Sequence, residues 1–160
     1  MDSGNRGADP EQGPALGRVL DFMRLLWALD HGLQSTSKRM EATLGITGPQ
    51  RLVLRIVGQF PGTSAGEVSS ILHIHPSTLT GVLKRLQARG LIEREADPSD
   101  ARRARLRLTA QGQMLNRTRS GTVEAAIRRV LAQVEPEKMQ AVQEVLALLA
   151  EEVTRQANPE

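Results

Sequence analysis

Apolar residues recur at helical spacing along most of this chain, and the breaks between runs mark out the order α-α-α-α-β-β-α-α. In residues 16–33 the run includes Val19, Leu20, Phe22, Met23, Leu26, Trp27 and Leu29, too many for a single stripe. A helix apolar on most sides has to be covered on most sides, and in so small a protein the expected cover is a second subunit. Gly45 and Gly48-Pro49 interrupt the pattern. Residues 49–60 predict a second helix with Leu52, Val53, Ile56 and Val57 facing a core, and Pro61-Gly62-Thr63 reads as a turn. Towards the other end, Thr109 caps a long predicted helix that runs to about Val134 with Val123, Ile127, Val130 and Leu131 as its stripe. Pro136 opens a last helix carrying Val142, Val145, Leu146, Leu149 and Val153.

The centre of the chain has sharper punctuation. Ser64 is placed as an N-cap with Glu67 three residues on, a capping-box spacing that opens a helix through about Leu72. Pro76 is a favoured first helical residue, and the helix it starts carries Leu79, Val82, Leu83 and Leu86 on one face before Gly90 stops it. Residues 91–95 and 105–108 are short strand candidates around the turn-rich Asp97-Pro98-Ser99-Asp100. Two short helices followed by a basic β-hairpin make a winged helix-turn-helix, in a chain that is otherwise mainly α.

Charge supports a nucleic-acid partner for that segment. Residues 48–109 hold 10 Lys/Arg against 5 Asp/Glu, a net of +5, whereas residues 1–47 and 110–160 each carry a net of −1. All the excess positive charge therefore lies where phosphates would be met. With Leu79, Val82, Leu83 and Leu86 buried, a 100° step per residue puts Ser77, Gly81 and Lys84 on the opposite face, with Thr80 and Arg85 beside it and Thr78 near the N-terminal end. Hydroxyls there can bond base edges or phosphate oxygens, and the free N–H groups of the helix start, next to His75 and Pro76, favour a phosphate. Gly81 costs about 1 kcal/mol of helix propensity relative to Ala. Close approach to the groove floor and a tolerated loss at an exposed site explain it equally well. At the hairpin, Arg103, Arg105 and Arg107 alternate and share one strand face. Arginine at a protruding tip fits the narrow minor groove of A·T-rich DNA, and Asp100 is close enough to pair with Arg102. Taken alone, such a hairpin reads first as a solvated edge strand guarded by charge; beside a recognition-type helix, contact with DNA is the better reading.

Other classes are disfavoured. With only Phe22, Trp27 and Phe60 as aromatics, and none in the basic segment, stacking of single-stranded bases has no platform. The absence of cysteine excludes disulfides and thiol chemistry. No nucleophile, phosphate-loop or paired-carboxylate pattern points to an enzyme, and no cofactor is implied. His73 and His75 straddle a helix end and the next helix start, which a cap explains more simply than a metal, so no metal ligand is assigned. No apolar run approaches the ~18 residues of a membrane span. Residues 1–14 lack the basic flank and apolar core of a signal peptide and read as a disordered lead-in to a cytoplasmic protein.

The stretch GEVSSILHIHPSTLTGVLKRLQARGLIERE, followed by DPSDARRARLRLTAQG, resembles the MarR family of bacterial transcriptional regulators. The likeness covers roughly residues 16–155. Its most specific part is a D-P-x-D-x-R run and then L-T-x-x-G, directly after G-L-I-x-R. The resemblance implies a homodimer in which residues 15–46 and 110–157 supply dimerisation helices and residues 47–109 a winged-helix lobe, all within one domain of residues 15–160. It implies a repressor that reads a pseudo-palindromic operator in double-stranded DNA and responds to a small aromatic or phenolic effector held between the dimer and DNA-binding regions. Met23, Trp27, His31 and Arg51 are the residues this suggests for the effector. The recognition helix falls on residues 76–89, the family's wing arginine on Arg102 and its aspartate on Asp100, with Ser64 at the start of the preceding helix. Ala101 stands where many members have arginine and Arg103 where many have a small residue, so the tip keeps its arginines shifted by one. The cysteine of the peroxide-sensing branch is absent, and Val82 lies near the place of an arginine found in urate-responsive members. A winged helix used only for protein contact or DNA architecture is the competing reading, and it gives no reason for the +5 of the centre.

Overall fold

The computed structural model describes residues 16–98 and 100–157, so the expected disordered lead-in of residues 1–14 lies outside the described residues. The described chain runs α1 (Arg18–Leu44), α2 (Gly48–Gln59), α3 (Ala65–Leu72), α4 (Pro76–Ala88), β1 (Ile92–Asp97), β2 (Asp100–Leu108), α5 (Ala110–Arg117), α6 (Val123–Leu131) and α7 (Pro136–Ala157). α1 continues beyond the apolar run that announces it. Its last turns are held by Met40, fully buried, and by the Ser37 hydroxyl, which accepts a 2.7 Å bond from Gly48 N.

The two helices that follow start on reciprocal caps. Thr47 Oγ1 accepts from Gln50 N at 3.4 Å while Gln50 Oε1 accepts from Thr47 N at 3.1 Å. At α3, Ser64 Oγ accepts from Glu67 N at 3.2 Å and Glu67 Oε2 accepts from Ser64 N at 2.6 Å. Each pair satisfies two of the donors a helix start leaves open. α3 and α4 are joined through His73, whose φ of 51° is left-handed, and the buried Ser69 hydroxyl donates to Ile74 O at 2.6 Å. α4 ends in a Schellman motif. Gly90, with φ 65°, donates to Gln87 O at 2.8 Å, and Leu91 N reaches Leu86 O at 3.0 Å.

The core sits in this central lobe. Ile46, Val53, Leu54 and Val57 pack with Val68, with Leu79, Leu83 and Leu86 of α4, and with Leu91, Ile92 and Leu106 of the hairpin. α1 brings only Leu44, partly buried, against the edge of that cluster, α6 and α7 place no residue in it, and α7 has no buried residue. β1 and β2 pair antiparallel from Ile92↔Leu108 to Ala96↔Ala104, and a bulge then brings Asp97 opposite Asp100. The hairpin is thus longer than its apolar pattern suggests, and residues 101–103 are extra residues on the β2 side. The segment read as a turn also serves the sheet: Gly62 N bonds Leu106 O at 2.9 Å and Leu106 N bonds Thr63 O at 2.8 Å. These bonds tie the wing to the foot of α3.

Two expectations are overturned: Leu52, read as facing the core, is 52% exposed, and one predicted helix is interrupted. The helix predicted from Thr109 to about Val134 is broken between Arg117 and Val123. α6 restarts on a cap of its own, with Thr122 Oγ1 accepting from Ala125 N at 3.3 Å. The break passes through Gly121, whose φ of 70° is left-handed, and a side chain from α2, described below, bonds the carbonyls it leaves open.

Candidate nucleic-acid interface

α4 separates its faces as its spacing predicts. Leu79, Leu83 and Leu86 are buried and Val82 is half-buried, while Pro76, Ser77, Thr78, Thr80, Gly81, Lys84 and Arg85 are exposed. His75 is the N-cap: its Nδ1 accepts from Ser77 N at 3.2 Å and lies 2.7 Å from Ser77 Oγ. The Nδ1 lone pair is therefore committed to the helix, and the ring proton sits on Nε2. Thr80 Oγ1 donates back to Pro76 O at 2.8 Å, which leaves its lone pairs as acceptors facing outwards. A Cβ at Gly81 would meet nothing within 4 Å, so no contact inside the chain demands glycine there. Ser64 is half-buried in its capping box, at the end of α3 nearest the wing.

The wing gives a different answer from the strand alternation. Arg105 does not stand free on an arginine face: its Nε and Nη2 lie 3.0 Å from the two carboxylate oxygens of Asp97. Arg107 Nε likewise meets Glu95 at 2.9 Å. Cross-strand carboxylates on β1 thus hold both, and they stiffen the base of the wing. The backbone of Asp100, Arg102 and Arg103 belongs to β2, but their side chains, the expected 100–102 pair included, lie outside the described ones, as does Ser99.

Between α1, α2 and α6 lies an open cleft of about 770 Å³. Leu33, Leu52, Val123 and Ile127 make its wall largely apolar, and Arg51, Arg55 and Glu124 supply charge. Of the four residues expected around an effector, Arg51 lines this cleft. Met23, Trp27 and His31 are exposed on α1 and do not. Sequence reasoning missed Leu52, Arg55 and Glu124, because the elements that bring them together are far apart along the chain.

Arg51 is 1 % exposed and fully bonded. Its Nε donates to Glu124 Oε1 at 2.7 Å, its Nη1 to Leu115 O at 2.5 Å and its Nη2 to Thr118 O at 2.6 Å. Arg55 Nη1 reaches Asn116 O at 3.1 Å and Asn116 Oδ1 at 2.9 Å. Burial pushes the Glu124 carboxyl up, but bonds from Arg51, its own backbone N–H and Thr122, with the attraction of the guanidinium, outweigh burial and leave it below the usual range. A carboxyl depressed by folding adds stability above its unfolded value, about 4.3 for Glu, and this is lost as pH falls through the folded one. Urea midpoints between pH 7 and about 3 are expected to fall further for the wild type than for Glu124→Gln. Parallel curves would show that Glu124 does not contribute this way.

Among the described residues no three His, Cys, Asp or Glu side chains are grouped to hold a metal ion, and no helix is long and apolar enough to cross a membrane. Comparison with known proteins decides the kind of molecule this is. The MarR family model matches residues 44–103, from the end of α1 through the wing. The homoprotocatechuate degradative operon repressor of Escherichia coli is 31% identical over 101 residues, 63% of this chain and 68% of that protein. The chain belongs to the MarR family. An HTH-type transcriptional repressor of Mycobacterium tuberculosis is 35% identical over 91 residues, 57% of this MarR-family chain and 66% of the repressor's own length. Among solved structures, the PcaV transcriptional regulator of Streptomyces coelicolor, in complex with its natural ligand, superposes with a TM-score of 0.65 at 25% identity. That match covers 88% of this chain and 96% of that one.

Proposed function

We propose that this MarR-family chain is a homodimeric repressor that binds a pseudo-palindromic operator in double-stranded DNA in the cytoplasm and releases it to a small aromatic or phenolic effector. The observation that carries the reading is α4, whose outer face is polar, exposed and cationic while its inner face is locked into the core. A helix so presented, beside a wing fixed to the same core, fits a major groove. Ser77, Thr78, Thr80 and Gly81 would face the bases, Lys84 and Arg85 the phosphates, and the Nε2–H of His75 and the start of α3 at Ser64 the neighbouring strand. Asp100, Arg102 and Arg103 would carry the wing into the adjacent minor groove, since Arg105 and Arg107 are occupied by Asp97 and Glu95. Two copies related by a two-fold axis place their recognition helices about one turn of DNA, ~34–36 Å, apart.

Dimerisation is supported by the apolar side chains that α1, α6 and α7 leave uncovered. The cleft behind Arg51 supports the effector: its apolar walls suit a ring, its arginines a carboxylate or phenolate.

The test is binding to duplex DNA from upstream of the chain's own gene and to a scrambled duplex, over a salt series. A complex at least ~10³ tighter on the native duplex, with one dimer per site, is expected. Lys84→Ala should weaken binding to both duplexes and lower the salt slope by about one unit. Weak binding of equal strength to every duplex, including genomic fragments selected for affinity, would overturn the repressor reading in favour of a protein-contact module.

A further inference from the structure

The break between α5 and α6 lies where the chain leaves the reading lobe for the dimerisation arm; no proline forces it, though Gly121 takes a left-handed φ of 70° there. In a continuous helix Leu115 O would accept from Arg119 N, and Thr118 O from Thr122 N. Here Leu115 O is turned to Thr118 N at 3.1 Å, a tighter turn, and to Arg51, while Thr118 O accepts from Arg51 Nη2. The guanidinium thus stands in for helix bonds, and its remaining edge faces the Glu124 carboxylate at 2.7 Å, in the first turn of α6. One buried cation caps the end of α5 and grips the start of α6 at once. The apolar stripe on which the long helix was predicted remains in the sequence, and Gly121 and Thr122, which also shape the break, both accept helical backbone, so the continuous form is open to the chain once the guanidinium is withdrawn.

We propose that Arg51 is the latch of a two-state joint: engaged, it holds the α5–α6 break and so the angle between reading head and dimer arm; withdrawn, it lets residues 110–131 close into one helix and the recognition helices lose their operator spacing. This rests on the effector reading above and specifies its regulation. Arg51 and Glu124 line the cleft, where a ligand carboxylate can compete for the guanidinium as a second acceptor with the geometry of Glu124. Arg51 is in this sense a positioning residue, acting on DNA through the placement of α4.

The chain has no cysteine, so paired spin labels can be placed at will. Met114→Cys and Ala126→Cys lie on exposed positions of α5 and α6, and mixing labelled with excess unlabelled chains isolates the distance within one subunit. The wild type should give a distance set by the break. Arg51→Met should move it to that of a continuous helix, about 18 Å between Cα atoms, and weaken operator binding about tenfold or more. Arg51→Lys, with charge but no fork, should fall between the two. If Arg51→Met does not fold, Glu124→Gln decides, with a partial shift of the same sign expected. An unchanged distance in every folded variant overturns the latch. Sodium benzoate, added to the wild type, reads the effector separately. A shift like that of Arg51→Met supports both readings, whereas a shift in the variants without one in benzoate leaves the latch standing and removes a carboxylate effector.

Discussion

Gly112→Ala should destabilise this protein by about 3 kcal/mol or more, at a helical position where exchange of glycine for alanine ordinarily stabilises by up to about 1 kcal/mol. A Cβ on Gly112 would overlap the carbonyl oxygen of Leu91 and lie 3.0 Å from its carbon and 3.4 Å from its Cα. These are backbone atoms, and they are fixed from three sides. Leu91 N closes the Schellman motif of α4, its side chain is in the core, and its carbonyl accepts from Thr109 N at 3.2 Å. Gly112 is held as firmly, because its N–H donates to Thr109 Oγ1 at 3.0 Å while that hydroxyl donates to Gly90 O at 2.6 Å. Relief requires moving α5 away from the exit of α4, and with it the base of the wing. Urea unfolding measures the loss, and Gly81→Ala is the control. In open space at Gly81 the same exchange should raise stability by about 0.5–1 kcal/mol. If close approach to DNA is the reason for that glycine, operator affinity falls as stability rises. Equal stability of Gly112→Ala and wild type would show that the contact is not rigid.

The same contact explains why part of this fold could be read in advance. L-T-x-x-G is a local solution to a local problem: threonine caps α5 and glycine admits the preceding loop, within a few residues of one another. The Ser64–Glu67 box, the Pro76 start and the Gly90 stop are legible for the same reason. The Thr47–Gln50 box is equally local, but the sequence reading opened that helix at Pro49 and passed over it. What was not legible depends on partners far away. Arg51 reaches acceptors 64, 67 and 73 positions on, and only Ser120-Gly121-Thr122, a turn and cap signal that the apolar stripe overrode, marks the break locally. The apolar stripe therefore predicted one helix where there are two. Strand alternation grouped Arg105 and Arg107 with Arg103 on one face, but it takes no account of which carboxylates β1 sets opposite them. The resemblance pointed to Met23, Trp27 and His31 on α1 as effector residues, whereas the cleft is lined on α1 by Asp30, Leu33, Gln34, Ser37 and Lys38.

Trp27→Asp combined with Val145→Asp is expected to convert the protein from a dimer of the 17.5 kDa chain to a monomer and to lower operator affinity by about 10³-fold or more. Trp27 is 79% exposed and Val145 50%, on α1 and α7 respectively, so in a lone chain neither substitution opens a cavity or buries a charge. Helix propensity adds little to the cost in the monomer, because Trp, Val and Asp rank together. Placed in a dimer seam, each carboxylate would lose its water without gaining a partner, which costs several kcal/mol. The fold of the reading lobe should survive, because the core from Ile46 to Leu106 takes nothing from α6 or α7 and only Leu44, at its edge, from α1. Loss of DNA binding can then be assigned to loss of the second half-site. Sedimentation equilibrium gives the mass, and the melting temperature should become independent of concentration in the variant while rising with it in the wild type. A wild type at the monomer mass would sink the two-fold model. So would a variant that remains dimeric on the operator, since the apolar faces of α1 and α7 would then have some cover other than a second copy of this chain.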